Sequence, residues 1–255
     1  MIYRDSAALA QAIGTAKAAG KTIGFVPTMG ALHEGHLSLI DVAKEHADFI
    51  IVSIFVNPTQ FAPGEDFESY PRDTDRDVSL LSGAGVHGVY LPEVKDIYPD
   101  GATAQIKAGE AANGLETDFR PHFFDGVCSV VHRLFEIVKP DVAVFGEKDY
   151  QQLMVIREMV ETHGMGIDII GAPIMRDEHG LALSSRNAYL KDDDMVIADC
   201  LNVVLRQNKN GDLALIKTLL EKAGFDTVDY VERRWGRLLA AAWIGRTRLI
   251  DNIEV

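Results

Sequence analysis

The stretch Pro27–His36, PTMGALHEGH, decides the fold because it stands between an apolar segment and a helical pattern. Residues 21–27 (KTIGFVP) predict a buried strand, and residues 36–47 predict a helix with apolar side chains at helical spacing. A glycine-containing turn that joins a strand to a helix is where α/β proteins hold phosphate groups. The stretch therefore predicts an α/β fold and an anion-binding junction within it.

Strand and helix patterns alternate through the first two thirds of the chain. The other predicted strands are 48–56, 86–91, 141–145 and 167–171, and the other predicted helices are 73–83, 126–138 and 149–163. One more strand is expected near 103–107. Alternation of this kind predicts an α/β fold, with a parallel sheet, helices on both faces and right-handed crossovers.

The pattern changes after residue 187. Helices are expected at about 195–206 and 212–223, and short strands at 227–232 and 247–253. Mixed helices and strands of this kind indicate a smaller α+β domain. We therefore expect an α/β domain at 1–175 and a smaller C-terminal domain at 176–255.

Composition limits the classes of function. The chain has 255 residues and a formal net charge of −13, and its short basic cluster at 233–237 (RRWGR) is typical of a solvated surface. A nucleic-acid partner is therefore not expected. No apolar run approaches the ~18 residues of a membrane span, and no signal peptide is recognised. Because Cys128 and Cys200 are expected to be buried thiols of a reducing compartment, a cytosolic protein is predicted.

Three polar stretches follow predicted strand ends: residues 28–36, 57–61 and 146–152. The carboxyl ends of parallel strands share one edge of the sheet, and ligands bind at that edge. The three stretches are therefore expected to converge in space, and this convergence is the physical basis of the functional inference.

His33 and His36 are three residues apart, so their imidazoles lie near one face if both stand in the first turn of a helix. We expect them to donate hydrogen bonds to phosphate oxygens, and the flanking Gly30 and Gly35 allow close approach of the backbone. The alternatives are helix capping at the surface and a metal site, although H-x-x-H alone supplies too few ligands for a metal.

A second strand-to-helix junction is Gly146–Gln152, GEKDYQQ. Lys148 can neutralise a phosphate or stabilise a leaving pyrophosphate. Asp149 and Gln152 also fit a capping box, with Asp149 as the N-cap residue of the following helix. Both interpretations stay open for Asp149, because capping does not exclude contact with a ligand.

The segment Ser184–Arg186 offers two hydroxyls and a guanidinium that suit a triphosphate; the alternative is a linker with an arginine ion pair. A serine nucleophile is not expected, because no G-x-S-x-G elbow surrounds either serine. Gln60 could bind a hydroxyl and a carboxylate through its amide, or its loop could be a turn fixed by Pro58. Together these segments predict an ATP-dependent enzyme that acts at the phosphate chain.

Read in order, the segments resemble a known family. PTMGALHEGH and the SSR segment are similar to the HIGH and KMSKS-type signatures of the nucleotidylyl-transferase superfamily. With SIFVNPTQF, YPRD, FGEKDYQQL, GLALSSRN and TRLIDN, they resemble the pantothenate synthetase (pantoate–β-alanine ligase) family from residue 27 to residue 252. The resemblance implies a Rossmann-like domain, a smaller C-terminal lid and a homodimer.

The resemblance also implies a reaction in two steps. The pantoate carboxylate attacks the α-phosphate of ATP, giving pantoyl adenylate and pyrophosphate; the amine of β-alanine then attacks the adenylate, releasing AMP and pantothenate. Mg²⁺ would accompany the phosphates, and no prosthetic group is implied. Adenylation needs positioning and charge stabilisation more than a protein nucleophile, which agrees with the cationic and amide groups of this sequence.

Roles for individual residues follow from the resemblance. His36 would be the proton donor, with His33 and Lys148 beside it in catalysis. Gln60 and Gln152 would hold pantoate, and Gln60 would also bind β-alanine. The residues implied in ATP binding are Met29, Gly30, His33, Gly35, His36, Gly146, Glu147, Lys148, Asp149, Met175, Leu183, Ser184, Ser185 and Arg186. Metal ligands are not assigned, and the candidates are Asp73, Asp75 and Asp77.

The chain departs from the family pattern at two places. Phe123 stands where the family usually has histidine, which puts one polar contact in doubt. Between Glu232 and Arg237 the family carries a longer excursion, so the lid is expected to be short and its closure to differ. Two alternative functions are therefore kept: another nucleotidylyl transferase, and a non-catalytic nucleotide-binding protein. The neutral amides of Gln60 and Gln152 favour a small hydroxy-carboxylate over a second phosphate, and the intact HEGH, GEKD and SSR segments favour catalysis.

Overall fold

The computed structural model describes residues 1–62, 64–65 and 67–255. These residues form two compact units, one of Met1–Glu147 with Gln151–Ala172 and one of Lys148–Tyr150 with Pro173–Val255. The division into domains at 175/176 stays a prediction, and each unit is described by itself.

The first unit is built on a six-stranded parallel sheet. Its strands are β1 Ile2–Tyr3, β2 Ile23–Thr28, β3 Phe49–Ile54, β4 Gly88–Tyr90, β5 Val142–Gly146 and β6 Asp168–Ala172. Their order is β1-β4-β3-β2-β5-β6. The chain extends the sheet in one direction from β2 to β4 and in the other from β5 to β6. The topological switch therefore lies between β2 and β5, where parallel sheets bind ligands.

Helices cover both faces of this sheet. They are α1 Ser6–Ala18, α2 Glu34–His46, α3 Thr74–Gly83, α4 Val94–Ile97, α5 Glu116–Phe119, α6 Phe123–Val138 and α7 Tyr150–Thr162. Val26 of β2 belongs to the same buried apolar cluster as Ile40 of α2. Its neighbour Phe25 points to the opposite face, where its ring lies edge-on to Phe135 of α6 at 6.2 Å between centroids. The predicted Rossmann-like architecture is confirmed.

The prediction of a strand near 103–107 is wrong, because this segment is irregular. Its backbone bonds to side chains of α6 instead of to a neighbouring strand. The N–H of Ile106 donates to Ser129 Oγ at 2.9 Å, and the N–H of Ala108 donates to Asp125 Oδ1 at 2.9 Å. These contacts satisfy backbone donors that a sheet would otherwise have to satisfy.

The second unit carries an antiparallel sheet and two helices. The strands β7 Thr227–Arg234, β8 Arg237–Ile244 and β9 Thr247–Glu254 are ordered β7-β8-β9. The helices α8 Asp192–Gln207 and α9 Leu213–Ala223 share a buried apolar cluster with this sheet. The strand β8 is not among those expected from the sequence. Its segment, RLLAAAWI, is a short apolar run that periodicity alone does not distinguish from a buried helix, and alanine is depleted in strands.

A two-residue hairpin turn joins β7 to β8, at the place where the family carries a longer excursion. Arg234 pairs with Arg237, and the residues between them, Trp235 and Gly236, have φ values of 53° and 70°. Two positive φ values are typical of the type I′ turn, whose twist matches that of the flanking strands. The chain therefore passes from β7 to β8 without a longer loop.

Two compositional expectations can be compared with the structure. Cys128 is buried, but Cys200 is only partly buried on α8, so the expectation of two buried thiols is wrong for Cys200. Among the helices of the described ranges, none combines the length and apolar character needed to cross a membrane.

Candidate active site at the carboxyl ends of the strands

A buried carboxylate of α3 holds the loop between β2 and α2. The N–H groups of Ala31 and Leu32 donate to Asp77 Oδ2 and Oδ1, both at 2.8 Å, and Asp77 is 1% exposed. Gly30 has a φ of 84°, and a Cβ there would lie 2.9 Å from Asp77 Oδ2, so this position requires glycine. Asp77 thus fixes the conformation of the loop that leads to the histidine pair.

Replacing Asp77 by Asn is expected to lower the free energy of unfolding by about 2–4 kcal/mol. The new amide would turn an N–H toward one of the two backbone N–H groups, and that buried donor would lose its partner. Urea unfolding measures the loss. Asp73→Asn is the matched control, because exposed Asp73 caps the same helix by accepting the N–H of Arg76 at 3.0 Å, and Asn caps helices equally well. Equal losses in both variants would contradict this role of Asp77.

Asp73 and Asp77 are therefore engaged with the backbone, although both were considered as metal ligands. Asp77 uses both carboxylate oxygens for the loop, and Asp73 caps α3. Within the part of the chain that the structure describes, no three His, Cys, Asp or Glu side chains are grouped as metal ligands. The metal interpretation of the histidine pair thus finds no support in these residues.

His33 and His36 cap the N-terminus of α2. His33 is the N-cap residue, and its Nδ1 accepts the N–H of Gly35 at 3.1 Å. His36 Nδ1 accepts the N–H of His33 at 3.3 Å, and the ring centroids lie 4.2 Å apart. The hydrogen-bond pattern assigns the neutral tautomer with its proton on Nε2 in both rings. Capping therefore occurs, and it uses Nδ1 of both rings, so that Nε2 carries the proton in each.

A buried polar network orients Gln60, which lies beyond β3. Gln60 Oε1 accepts from Asn57 Nδ2 at 3.0 Å, and Gln60 Nε2 lies 3.0 Å from Met29 Sδ. Asn57 is buried; it also donates to the Gly126 carbonyl at 3.1 Å and accepts from the Tyr98 hydroxyl at 2.7 Å. The structure thus brings Gln60 beside Met29, with the amide N–H₂ group turned toward the loop after β2.

Two features behind Gln60 keep this network in place. A Cβ on Gly126 would overlap with the backbone of Thr59, so only glycine lets α6 approach the loop this closely. Burial raises the pKa of Tyr98 above its ordinary value, and hydrogen bonds to Thr59 and Asn57 oppose that shift. The Tyr98 hydroxyl therefore remains a neutral donor near pH 7.

Sequence analysis assigned no role to Asn57, although it quoted the segment that contains it. Asn57 caps the 3₁₀ turn Pro58–Gln60 by accepting the N–H of Thr59 at 3.3 Å. An Asn directly before Pro at a strand end is a recognisable signal for such a turn. Its contacts with Gly126 and Tyr98 had no comparable signal.

The junction after β5 lies beside α2. A Cβ on Gly146 would contact the Leu39 side chain at 3.8 Å. The chain then forms the 3₁₀ turn Glu147–Asp149, which continues directly into α7. Asp149 directly precedes the first residue of α7, and its role as the N-cap residue of that helix stays a prediction.

The two adjacent glutamines of α7 differ in their surroundings. Gln151 is buried, its Oε1 accepts the N–H of Glu116 at 3.0 Å, and its Nε2 donates to the carbonyls of Ala111 and Gly114 at 3.1 Å. That amide therefore holds the loop before α5. Gln152 is partly exposed and stays the candidate for substrate binding.

In the second unit, one predicted ATP-binding segment forms a short hairpin. The N–H of Leu183 donates to the Met175 carbonyl at 2.9 Å, next to a bridge between Arg176 and Ala182. Ser184 then caps the 3₁₀ turn Ser185–Tyr189. The structure thus brings Met175 together with Leu183. The second unit also contains Lys148, which lies 4.0 Å from the Asp149 carboxylate and is 19% exposed.

Phe123, the position that departs from the resembled pattern, packs against an arginine. The Arg120 guanidinium lies 3.9 Å from the centroid of the Phe123 ring. Arg120 also forms a two-pronged ion pair with Glu65, with both N–O distances at 2.8 Å. A cation–π contact therefore occupies this position.

Comparison with known proteins gives full-length similarity. The family described as pantoate-beta-alanine ligase matches residues 1–254. Pantothenate synthetase of Mesorhizobium japonicum is 47% identical over 275 positions, which cover 100% of this chain and 97% of that protein. Pantothenate synthetase of Sphingopyxis alaskensis is 47% identical over 276 positions, which cover 100% of this chain and 99% of that protein. Because 275 − 255 = 20, the first of these relatives has about 20 positions that this chain lacks.

Solved structures agree with the sequence comparison. The pantoate-beta-alanine ligase of Francisella tularensis, complexed with beta-gamma ATP and beta-alanine, superposes with a TM-score of 0.92 at 40% identity. That similarity covers 100% of this chain and 97% of the other. Pantothenate synthetase of Thermus thermophilus superposes with a TM-score of 0.86 at 38% identity. That similarity covers 99% of this chain and 98% of the other.

Proposed function

The chain belongs to the pantoate-beta-alanine ligase family, and on that premise we propose that it condenses (R)-pantoate with β-alanine, using ATP and passing through pantoyl adenylate. The products are pantothenate, AMP and pyrophosphate. The observation that carries the proposal is the capped N-terminus of α2, where both imidazoles use Nδ1 for the backbone and therefore carry their proton on Nε2. This N-terminus follows β2, which lies at the switch point of the sheet.

The first step needs stabilisation of negative charge on the α-phosphate. When the pantoate carboxylate attacks, charge builds on the phosphoryl oxygens and on the departing pyrophosphate. We assign the Nε2–H groups of His33 and His36 and the amides of the α2 N-terminus to these oxygens. The role of proton donor that the family motifs give His36 is here the donation of its Nε2–H as a hydrogen bond, without transfer of the proton. Preorganised donors of this kind are effective because they need no reorganisation during the reaction.

Gln60 and Gln152 are proposed to hold pantoate. Gln60 receives its orientation from Asn57, so its N–H₂ group is the part of the amide directed away from the buried network. An N–H donor suits the carboxylate or hydroxyl oxygens of pantoate. Gln60 is also proposed to bind β-alanine, whose neutral amine attacks the acyl carbon and displaces AMP.

The remaining ATP-binding groups are proposed from the family motifs. Lys148 supplies a positive charge for the pyrophosphate, and the segment Leu183–Arg186 supplies two hydroxyls and a guanidinium for phosphate oxygens. The backbone at Met175, together with Gly146, Glu147 and Asp149, completes the assignment carried over from the family motifs.

Three further properties belong to the proposal. Mg²⁺ is proposed to enter with ATP, coordinated by phosphate oxygens, because Mg²⁺ usually binds proteins through substrate phosphates and few carboxylates. The protein is proposed to be a homodimer, as the family resemblance implies. It is proposed to act in the cytosol, which agrees with two cysteines that form no disulfide.

An assay of the two half-reactions tests the function. Purified protein is incubated with ATP, Mg²⁺ and (R)-pantoate, with and without β-alanine. Pyrophosphate release that depends on pantoate is expected, followed by AMP and pantothenate when the amine is added. (S)-pantoate is the matched control and is expected to give little pyrophosphate. ATP binding without pyrophosphate release at any pantoate concentration would instead favour a non-catalytic nucleotide-binding protein.

A further inference from the structure

The motif TRLIDN, residues 247–252, lies in β9 and has no role in the reaction as described so far. Its last two residues, Asp251 and Asn252, are 3% and 1% exposed. Neighbouring side chains of a strand point to opposite faces of the sheet, so the two residues have different partners. Buried polar groups are costly unless they are hydrogen-bonded. The partners of both residues, all within the second unit, therefore indicate what the motif is for.

Asn252 holds the segment that contains Lys148. Asn252 Nδ2 donates to the Lys148 carbonyl at 3.1 Å, and Asn252 Oδ1 accepts from Arg237 Nη1 at 2.9 Å. The Arg237 guanidinium also lies 4.3 Å from the centroid of the Tyr150 ring. The segment 148–150 is therefore fixed at its backbone by β9 and at its aromatic ring by β8.

Asp251 holds the hairpin that contains Met175 and Leu183. It accepts two hydrogen bonds from Arg176, at 2.7 Å to Nη1 and 2.8 Å to Nη2. Arg176 Nη1 also donates to the Gly180 carbonyl at 2.9 Å, so the guanidinium closes the turn of this hairpin. A bidentate, charge-assisted pair with little exposure is among the more geometrically specific contacts in proteins.

We infer that Asp251 and Asn252 are positioning residues for the adenylation step. These two consecutive residues of β9 hold the two segments of this unit that are assigned to ATP. Asn252 bonds to the Lys148 carbonyl, and Asp251 bonds to Arg176 of the hairpin. Fixing the backbone of Lys148 limits where its flexible side chain can place its charge. The inference rests on the proposed function, because it assigns these segments to ATP.

Asn252→Asp tests the inference with almost no change in size. The carboxylate still offers an oxygen that accepts from Arg237. Its second oxygen replaces the Nδ2 group that donates to the Lys148 carbonyl, so that hydrogen bond is lost. Pyrophosphate release is expected to slow about 10- to 100-fold, since small displacements of a reacting group have effects of this size. The reaction of preformed pantoyl adenylate with β-alanine is expected to stay within about twofold of wild type, because the pyrophosphate has already left.

Asp229→Asn is the matched control in the same sheet. Asp229 accepts from Arg248 Nε at 2.7 Å and from Trp243 Nε1 at 3.0 Å. These partners lie in β8 and β9, outside the segments 148–150 and 175–183. The control removes a buried ion pair, so it is expected to lower the unfolding temperature while leaving both half-reactions and ATP affinity unchanged.

The outcomes separate positioning from general stabilisation. Loss of pyrophosphate release in N252D alone, with the second half-reaction retained, supports the inference. Wild-type kinetics in N252D, or equal losses in N252D and D229N, would overturn it. Calorimetric titration with Mg²⁺–ATP adds a readout independent of turnover, and a roughly tenfold weaker affinity is expected in N252D. If N252D does not fold, Arg176→Lys serves instead, since it keeps the charge but loses the bidentate pair.

A wild-type protein that releases no pyrophosphate with pantoate would contradict the proposed function, and with it the adenylation step named in the inference, but not the positioning of ATP-binding groups. The titration would then still decide the inference, because the contacts of Asp251 and Asn252 are argued to position groups that bind ATP. An unchanged ATP affinity in N252D would overturn it even in that case.

Discussion

His36→Asn is expected to slow pantoate-dependent pyrophosphate release by about 10²- to 10³-fold while leaving the free energy of unfolding nearly unchanged. The Oδ1 of Asn can occupy roughly the place of imidazole Nδ1, so it can still accept the N–H of His33 and preserve the cap of α2. Nothing in the Asn side chain reaches the place of Nε2. The variant therefore removes only the donor assigned to the phosphate.

Two further variants separate capping from catalysis at this position. His36→Gln places an amide nitrogen near the former Nε2, so part of the lost rate is expected to return. His36→Ala removes both functions and is expected to lose about 0.5–2 kcal/mol of stability as well as the rate. Single-turnover pyrophosphate release and urea unfolding measure the two effects. A wild-type rate in H36N would reduce His36 to a helix cap.

Lys148→Met is expected to slow pyrophosphate release by about 10²- to 10³-fold, because methionine keeps an unbranched side chain but carries no charge. The backbone of Lys148 is held by Asn252 and its side chain is only 19% exposed, so water cannot fully replace the ammonium group. Lys148→Arg keeps the charge and is expected to recover part of the rate, since the broader guanidinium cannot occupy the same position.

Lys44→Met is the control for the loss of one positive charge. Lys44 is exposed near the end of α2, where it pairs with Asp41 at 3.1 Å. Surface ion pairs of this kind contribute about 0–1 kcal/mol to stability, so K44M is expected to retain its rate within about twofold. Equal rates in K148M and wild type would remove Lys148 from the adenylation step.

The short connection between β7 and β8 has a specific form in the structure, which the sequence pattern could not supply. A change in lid closure stays a prediction. The turn that joins β7 to β8 places the Trp235 ring 6.3 Å from the Tyr150 ring, and Arg237 stacks on the same tyrosine. The short hairpin therefore contacts the segment that contains Lys148.

The sequence by itself determined five of the six strands in the sheet of the first unit, all but β1, and it singled out the segments that are proposed to bind ATP. Helices such as 126–138 are recognisable because burial imposes a local period on the side chains, and strands such as 48–56 because they form a near-continuous apolar run. The histidine pair was recognisable for a related reason, since a strand-to-helix junction and its glycines lie within ten consecutive residues, 27–36. The prediction failed for β8, because its short apolar run is rich in alanine, which is depleted in strands, and periodicity alone does not distinguish such a run from a buried helix.

Only the tertiary structure decided which polar side chains hold these segments in place. Asp77 bonds to Ala31 across 46 positions of the sequence, and Asn252 bonds to Lys148 across 104. No local pattern marks such pairs, because each side chain gains its role from a backbone group that folding brings beside it. Composition likewise could not distinguish Gln151 from Gln152, since that distinction depends on which amide is buried.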